Sequence, residues 1–336
     1  MKRKILVTGG LGFIGSHLIS LAGDDNYEIV CIDNLSNSKI SVLDRLNSIR
    51  DLKIFFYQLD LTDRDKLALV FKEHPEIVSI IHFAGLKSVD ESIINPIKYY
   101  HNNFLSTVNL ISLFQESFAE SFIFSSSATV YGDSKLQPVS ENFQLFPKNP
   151  YASTKVFCEK LLEDCIYSKS NKKVISLRYF NPIGAHPELI TGEDPINIAT
   201  NLMPHILNAA NKESVLKIFG NDYNTKDGTA ERDYIHVIDV ASAHLFFVEN
   251  IERLSGSFNI FNVGTGKATS VIELINIFEN INNVKVPYKF HDRRVGDIET
   301  SYAENNKIKN FGWKPKFLIS DMCRHAWLWK RKLAVL

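Results

Sequence analysis

Lys4-Ile5-Leu6-Val7-Thr8-Gly9-Gly10-Leu11-Gly12-Phe13-Ile14-Gly15-Ser16-His17-Leu18 decides the fold. Residues 4–8 form a short apolar run ending at glycines, the pattern of a buried parallel strand. Ser16 to Leu21 then carries apolar residues at helical spacing. The glycines fit GxxGxxG from Gly9 and GxGxxG from Gly10, between strand and helix, where such a motif has mechanical meaning. They allow a tight turn and close approach of the backbone to a pyrophosphate at a helix N-terminus. A second strand, Glu28 to Ile32, ends in Asp33, 18 residues after Gly15. A carboxylate there accepts hydrogen bonds from an adenosine ribose diol and repels a 2′-phosphate, which favours NAD over NADP.

The pattern continues outward. Residues 53–61, 76–85, 121–124 and 174–179 read as strands, with helical segments between them at Tyr99 to Phe114 and Tyr151 to Cys165. Strands alternating with helices predict an α/β fold, a Rossmann-like doubly wound parallel sheet, whose ligands sit outside the carboxyl ends of the strands. The glycine turn, Phe83, Ser127 and Phe180 all fall at such ends. Asn181-Pro182 stops the sixth strand, and Gly184 to Ile198 reads as loop. Tyr234 to Val237 and Phe258 to Gly264 read as strands flanking a helix from Val237 to Val248. The expected division is an NAD-binding part, 1–180, with 234–264 contributing a strand and helix, and a smaller α+β substrate-binding part, 181–233 and 265–336.

Composition excludes several classes of function. The 336 residues carry 38 Lys+Arg against 38 Asp+Glu, so no nucleic-acid or anionic-membrane partner is expected. No apolar run reaches 18 residues, and the start of the chain does not read as a signal peptide. Cys31, Cys158, Cys165 and Cys323 form no CxxC pair, which speaks against structural zinc and a disulfide framework and for a cytoplasmic setting. No His, Cys and carboxylate cluster has ligand spacing, so no metal is expected. His82 and His17 read as structural histidines, and His236 beside Asp239 has no partner set for a metal.

Chemistry enters at Ser125-Ser126-Ser127 and, 24 residues after Ser127, at Tyr151, with Lys155 four further on. Positions i and i+4 share a helix face, so phenol and ammonium can serve one site. A tyrosine is a poor base at neutral pH unless a nearby cation lowers its pKa, and a serine hydroxyl can hold a substrate alcohol.

Several ordered motifs carry a resemblance. They are Val7 to His17, Asp33 to Ser38, His82 to Lys87, Ser125 to Gly132, Pro150 to Lys155 and Leu177 to Pro182, followed by Asn201 to Pro204, Gly228 to Val237 and Arg293 to Asp297. Together they resemble the extended short-chain dehydrogenase/reductases and, within them, the UDP-hexose 4-epimerases, over essentially the whole chain. The resemblance implies a tightly held NAD used as an internal oxidant, a UDP-sugar substrate and a homodimer. Tyr151 would take the C4 hydroxyl proton as hydride leaves C4, with Lys155 and Ser127 assisting; the 4-keto sugar would turn over and be reduced on its other face. By the same matching, Gly9, Gly12, Phe13, Ile14 and Gly15 cradle the cofactor. Asp33, Asn34, Asn37 and Ser38 fall at the adenosine ribose, Asp60 and Leu61 near adenine, and Phe83, Ala84, Lys87, Asn102 and Phe180 along the cofactor cleft. Ser127, Asn181, Asn201, Leu202, Phe219, Arg232, Arg294 and Asp297 fall at positions that hold the nucleotide sugar. Arg232 and Arg294 suit phosphate oxygens.

Departures from the family pattern are informative. Leu11 stands in the glycine turn where a small residue is common, and Ala152 where many relatives have glycine. Ser301 lies four residues after Asp297, where enzymes restricted to non-acetylated sugars often carry tyrosine. A serine leaves room for an N-acetyl group, so UDP-GalNAc and UDP-GlcNAc are expected substrates beside UDP-galactose and UDP-glucose, unless Tyr302 fills the gap. The alternatives are a nucleotide-sugar 4,6-dehydratase, disfavoured because Ala128-Thr129 rather than Asp-Glu follow Ser127, and a non-catalytic NAD-binding sensor or scaffold.

Overall fold

The computed structural model describes residues 2–23, 27–49, 51–134, 136–167, 171–196, 199–294 and 296–335. Ile198, in the expected loop, and Val295, in the Arg293 to Asp297 motif, lie outside them. Six strands run in chain order: β1 (Arg3–Thr8), β2 (Tyr27–Asp33), β3 (Lys53–Gln58), β4 (Ile77–His82), β5 (Ser121–Ser127) and β6 (Lys173–Tyr179). With a seventh, Phe258–Val263, they form one parallel sheet ordered β3-β2-β1-β4-β5-β6-seventh. The order reverses between β1 and β4, where a crevice must open at the carboxyl edge. The interior of β1 is buried on both faces, as its continuous apolar run requires. One core contains Ile5, Val7 and Ile19 with the helix Val237–Glu249, and the other contains Leu6, Ile80 and Phe122 with the helices Leu105–Glu116 and Pro150–Ile166.

Three local readings change. The expected continuous helix from Tyr99 is Pro96–Tyr99, a π-helical turn Tyr100–Phe104, and then Leu105–Glu116. Apolar spacing does not reveal the one-residue widening. Pro182 ends β6 but not extended structure: Asn181–Ile183 pairs in parallel with Tyr234–His236 in a two-stranded sheet, where a missing ladder donor is tolerated. Tyr234–His236 therefore belongs to that small sheet, while Phe258–Val263 alone joins the large one.

A separate core of Met203, Ile206, Leu274, Phe278, Met322 and Trp327 packs beneath the remaining short strands. Among these, Glu231–Arg232 lies between Thr269–Ser270 and Thr300–Ser301. Asp233 ties this region to the seventh strand's end, accepting hydrogen bonds from Thr265, Gly266 and Ala303 backbone amides.

Candidate active site

The glycine turn closes over the carboxyl ends of β1 and β4. Gly9 has φ +64°, and a Cβ there would sit 2.8 Å from the Ala84 backbone nitrogen; a Cβ on Gly15 would collide with the Gly9 carbonyl oxygen. The helix Phe13–Ala22 opens on Gly12 with no side-chain cap and no acid in its first turn. Its terminal N–H groups and positive dipole end suit a diphosphate. Leu11, the unusual residue, is buried in the core and places only its backbone N–H at the turn, where it donates to Asp33 at 3.0 Å.

Asp33 also accepts from the Leu35 N–H (2.9 Å) and the Ser38 hydroxyl (2.7 Å). Asn34 donates to Asp60 at 3.0 Å. Burial would raise the Asp60 carboxyl, but hydrogen bonds from Thr62 and Asn34 outweigh it and hold the group below the usual range. Leu61 is buried beside it and Asn37 lies in the turn between Asn34 and Ser38. Across the crevice, Phe83 packs on His244 with centroids 4.5 Å apart, and the Ala84 N–H points to the Thr8 hydroxyl at 3.4 Å. Asn102 lies in the π-helical turn. Such turns recur at functional sites. Glycine cradle, exposed helix terminus and ribose acid thus fit NAD.

The chemical groups meet at the end of β5. Asn149 caps the helix Pro150–Ile166 by accepting from the Ala152 N–H at 2.9 Å, with Pro150 in its first turn. Tyr151 is therefore in the first turn, where the helix dipole favours a negative oxygen. Its phenol faces Ser127, whose hydroxyl acts to lower the phenol's pKa, although burial is the larger influence and pushes it up. Ser127 accepts from the Thr129 hydroxyl at 3.0 Å.

Lys155 does not donate to Tyr151: its ammonium lies 5.9 Å from the tyrosine ring centroid and donates to the Ser125 carbonyl at 2.7 Å. Burial lowers the lysine pKa to about 8. Ala152 is buried in the helix without distorting it. Phe180 and Asn181 follow β6 on the same edge, the Asn181 N–H bonding the Asp233 carbonyl.

On the facing side, Asp297 holds Arg232 at 2.7 Å and Arg294 at 3.5 Å, and Arg294 lies 4.6 Å above the Phe219 ring. Ser301 pairs in register with Arg232 and is buried. Tyr302 follows this strand and is half-buried, its backbone N–H donating to Gln137 at 3.0 Å and its carbonyl accepting from the Val139 N–H at 3.0 Å. Among the described residues, Arg232, Arg294 and Asp297 bond one another and not Ser127, Tyr151 or Lys155.

Asn201 precedes the helix Leu202–Ala210, with Leu202 half-buried. Its side chain reaches Glu193 at 2.7 Å, and Glu193 faces Lys87 at 3.7 Å. Sequence reasoning missed Glu193, which stands in a Gly-Glu-Asp-Pro loop where acids are ordinary. It also missed Asn103, which bonds Leu86 on both backbone groups and reaches the Thr154 hydroxyl at 3.2 Å, tying the Lys87 loop to the tyrosine helix. His82 is buried between Thr8 and Thr107 hydroxyls, and burial lowers its pKa to about 3, so it is a neutral structural group.

Comparison with known proteins places this geometry. The NAD dependent epimerase/dehydratase family model matches residues 5–264. A UDP-glucose 4-epimerase of Bacillus subtilis is 45% identical over 97% of this chain and 96% of its own length. A crystal structure of UDP-glucose-4-epimerase from Stenotrophomonas maltophila, with bound NAD and formylated UDP-arabinopyranose, superposes with a TM-score of 0.95 at 39% identity, covering 99% of both chains. The UDP-Glc/GlcNAc 4-epimerase from Campylobacter jejuni superposes at 0.84 with 36% identity, over 98% of this chain and 99% of that one. Among the described residues, no helix is long and apolar enough to cross a membrane.

Proposed function

The chain belongs to the NAD dependent epimerase/dehydratase family, and from that premise we propose that it is an NAD-dependent 4-epimerase of UDP-hexoses. The observation that carries the reading is Ser127, Tyr151 and Lys155 converging beside a cradle fit for NAD. NAD, when bound, accepts the C4 hydride and later returns it. Gly9, Gly12, Phe13, Ile14 and Gly15 would hold its diphosphate, Asp33 with Ser38, Asn34 and Asn37 its adenosine ribose, and Asp60 and Leu61 its adenine. Phe83, Ala84, Lys87, Asn102 and Phe180 would line the remainder.

Tyr151 takes the C4 hydroxyl proton and gives it back, Ser127 holds the C4 oxygen as its charge changes, and Lys155 fixes the cofactor ribose. Arg232 and Arg294, aligned by Asp297, clamp the diphosphate, and Phe219, Asn181, Asn201 and Leu202 border the nucleotide sugar. We divide the chain into an NAD-binding part, 1–180 with 234–264, and a UDP-sugar-binding part, 181–233 with 265–336.

Ser301 shapes the substrate range. It pairs with Arg232 in the ladder, and a serine side chain there, smaller than tyrosine, supports room beside the sugar C2 substituent for an N-acetyl group. UDP-GalNAc and UDP-GlcNAc are therefore substrates beside UDP-galactose and UDP-glucose. A coupled assay with all four sugars, comparing kcat/KM, tests this; absence of turnover of all four sinks the epimerase reading.

The working unit is a homodimer. Ile94 and Ile97 are 75% and 83% exposed, and Tyr100 stacks near half-exposed Phe157 at 5.9 Å, making an apolar face on the helices preceding and following β5. Ile97→Glu should convert the sedimenting species to monomer. A cytoplasmic setting follows from four free thiols, three of them buried.

A further inference from the structure

One short segment touches three places along the cofactor edge. The Thr191 hydroxyl lies 2.8 Å from that of Ser16, in the helix that follows the glycine turn. Asp194 bonds Lys39, next to Ser38, at 2.6 Å. Between them Glu193, its side chain only 9% exposed, accepts from the Asn201 amide at 2.7 Å and faces Lys87 at 3.7 Å. A buried carboxylate is costly unless partners hold it. Burial indeed raises its pKa, against the opposing influence of Lys87 and Asn201. The cost is informative because, among the described residues, the side-chain partners of this carboxylate lie outside the strands of the large sheet. Its two partners come instead from opposite banks: Lys87 from the loop after β4, and Asn201 from the start of the helix Leu202–Ala210.

We propose that Glu193 is a positioning residue that fixes Lys87 and Asn201 relative to one another, so that retention of the cofactor and seating of the UDP-sugar are coupled through one side chain. The proposal rests on the epimerase reading for what the two partners bind, and it goes beyond that reading by making the two occupancies interdependent. Glu193 takes no part in proton or hydride transfer. Its loss should act on binding rather than on the chemical step.

The test compares full-length wild type with Glu193→Ala, Glu193→Gln, Lys87→Met and the Lys87→Met/Glu193→Ala double variant. Four quantities are measured: NAD remaining after extended dialysis, UDP affinity by calorimetry, the split between KM and kcat, and Tm. For Glu193→Ala we expect UDP affinity and KM to worsen about tenfold, a loss of roughly 1.4 kcal/mol, with kcat changed less than about threefold, and NAD to be lost where wild type keeps it. Glu193→Gln retains an acceptor for Asn201 without the charge facing Lys87. It should restore UDP affinity to within about threefold of wild type while NAD retention stays reduced. The double variant should lose no more NAD than Lys87→Met alone, because Glu193 acts on the cofactor through Lys87. NAD retention and UDP affinity both unchanged within about twofold in the Glu193 single variants would overturn the proposal. So would a Glu193→Ala effect on only one of the two, or a fall in Tm and kcat with KM unmoved. If wild type turns over no UDP-hexose, the epimerase reading fails, while NAD retention and UDP affinity still decide the role of Glu193.

Discussion

Ser127, Tyr151 and Lys155 stand on long regular elements, whereas Arg232, Arg294 and Asp297 stand on a two-residue strand and a loop and are joined in one ion-pair cluster. The first group stands on β5 and on a capped helix, and the Lys155 ammonium is tied to a main-chain carbonyl. In the second, the Arg232 guanidinium donates to the Glu231 and Glu299 carbonyls at 2.8 and 3.4 Å as well as to Asp297, and Asp297 also holds the more exposed Arg294. Groups on long elements move only if the sheet moves, which suits proton transfer, where small misplacements are expensive. Groups on a short strand and a loop can be exchanged with less effect on the large sheet, which suits the choice of sugar.

The sharpest way to break this contrast is at the phenol. Tyr151→Phe should lower kcat about 10²–10⁴-fold, the range for removal of a general acid/base, with NAD still bound. Near-normal turnover would remove the role assigned to Tyr151. At the opposite bank, Asp297→Ala leaves Arg232 and Arg294 without their shared partner. We expect KM for UDP-galactose to rise about tenfold while kcat changes less than about threefold, the signature of lost binding rather than lost chemistry. An equal fall in kcat would mean that the diphosphate clamp also positions C4.

The same contrast explains what could be read in advance. The sheet and its carboxyl edge were legible because short apolar runs ending in Gly9, Asp33, Phe83 and Ser127 repeat one physical pattern. The tyrosine helix was legible from its i,i+4 spacing. The link between Lys87, Glu193 and Asn201 was not, since it spans separated loops and a carboxylate signals nothing until it is seen to be buried. Lys155 shows a different limit: the spacing that places it near Tyr151 does not say which acceptor it chooses, and the Ser125 carbonyl wins. The pairing of Ser301 with Arg232 depends on a two-residue strand, too short to leave a periodic trace.

Ser301→Tyr tests whether sugar choice can be changed from the short-strand bank alone. Filling the space beside C2 should cost N-acetylated substrates about 10–100-fold in kcat/KM, the scale of a steric change in a substrate pocket. UDP-galactose turnover should change less than about threefold. An unchanged ratio between the two substrate classes would show that the extra room lies elsewhere.

The smallest expected effect sharpens the comparison from the side of the long elements. Lys155 has a folded pKa near 8, lowered by burial, against an ordinary value of about 10.4. Between these limits the unfolded chain holds more protons than the folded chain at this site, so its contribution to stability rises with pH and is most unfavourable below about 8. Lys155→Met removes the titration along with the bond to Ser125. The difference in unfolding free energy, wild type minus Lys155→Met, should therefore increase from pH 8 to pH 10 when followed by denaturant titration. A flat difference across that window would mean that the ammonium is solvated well enough to keep its ordinary pKa. The lysine would then contribute charge to the site without the desolvation that its position beneath Tyr151 imposes.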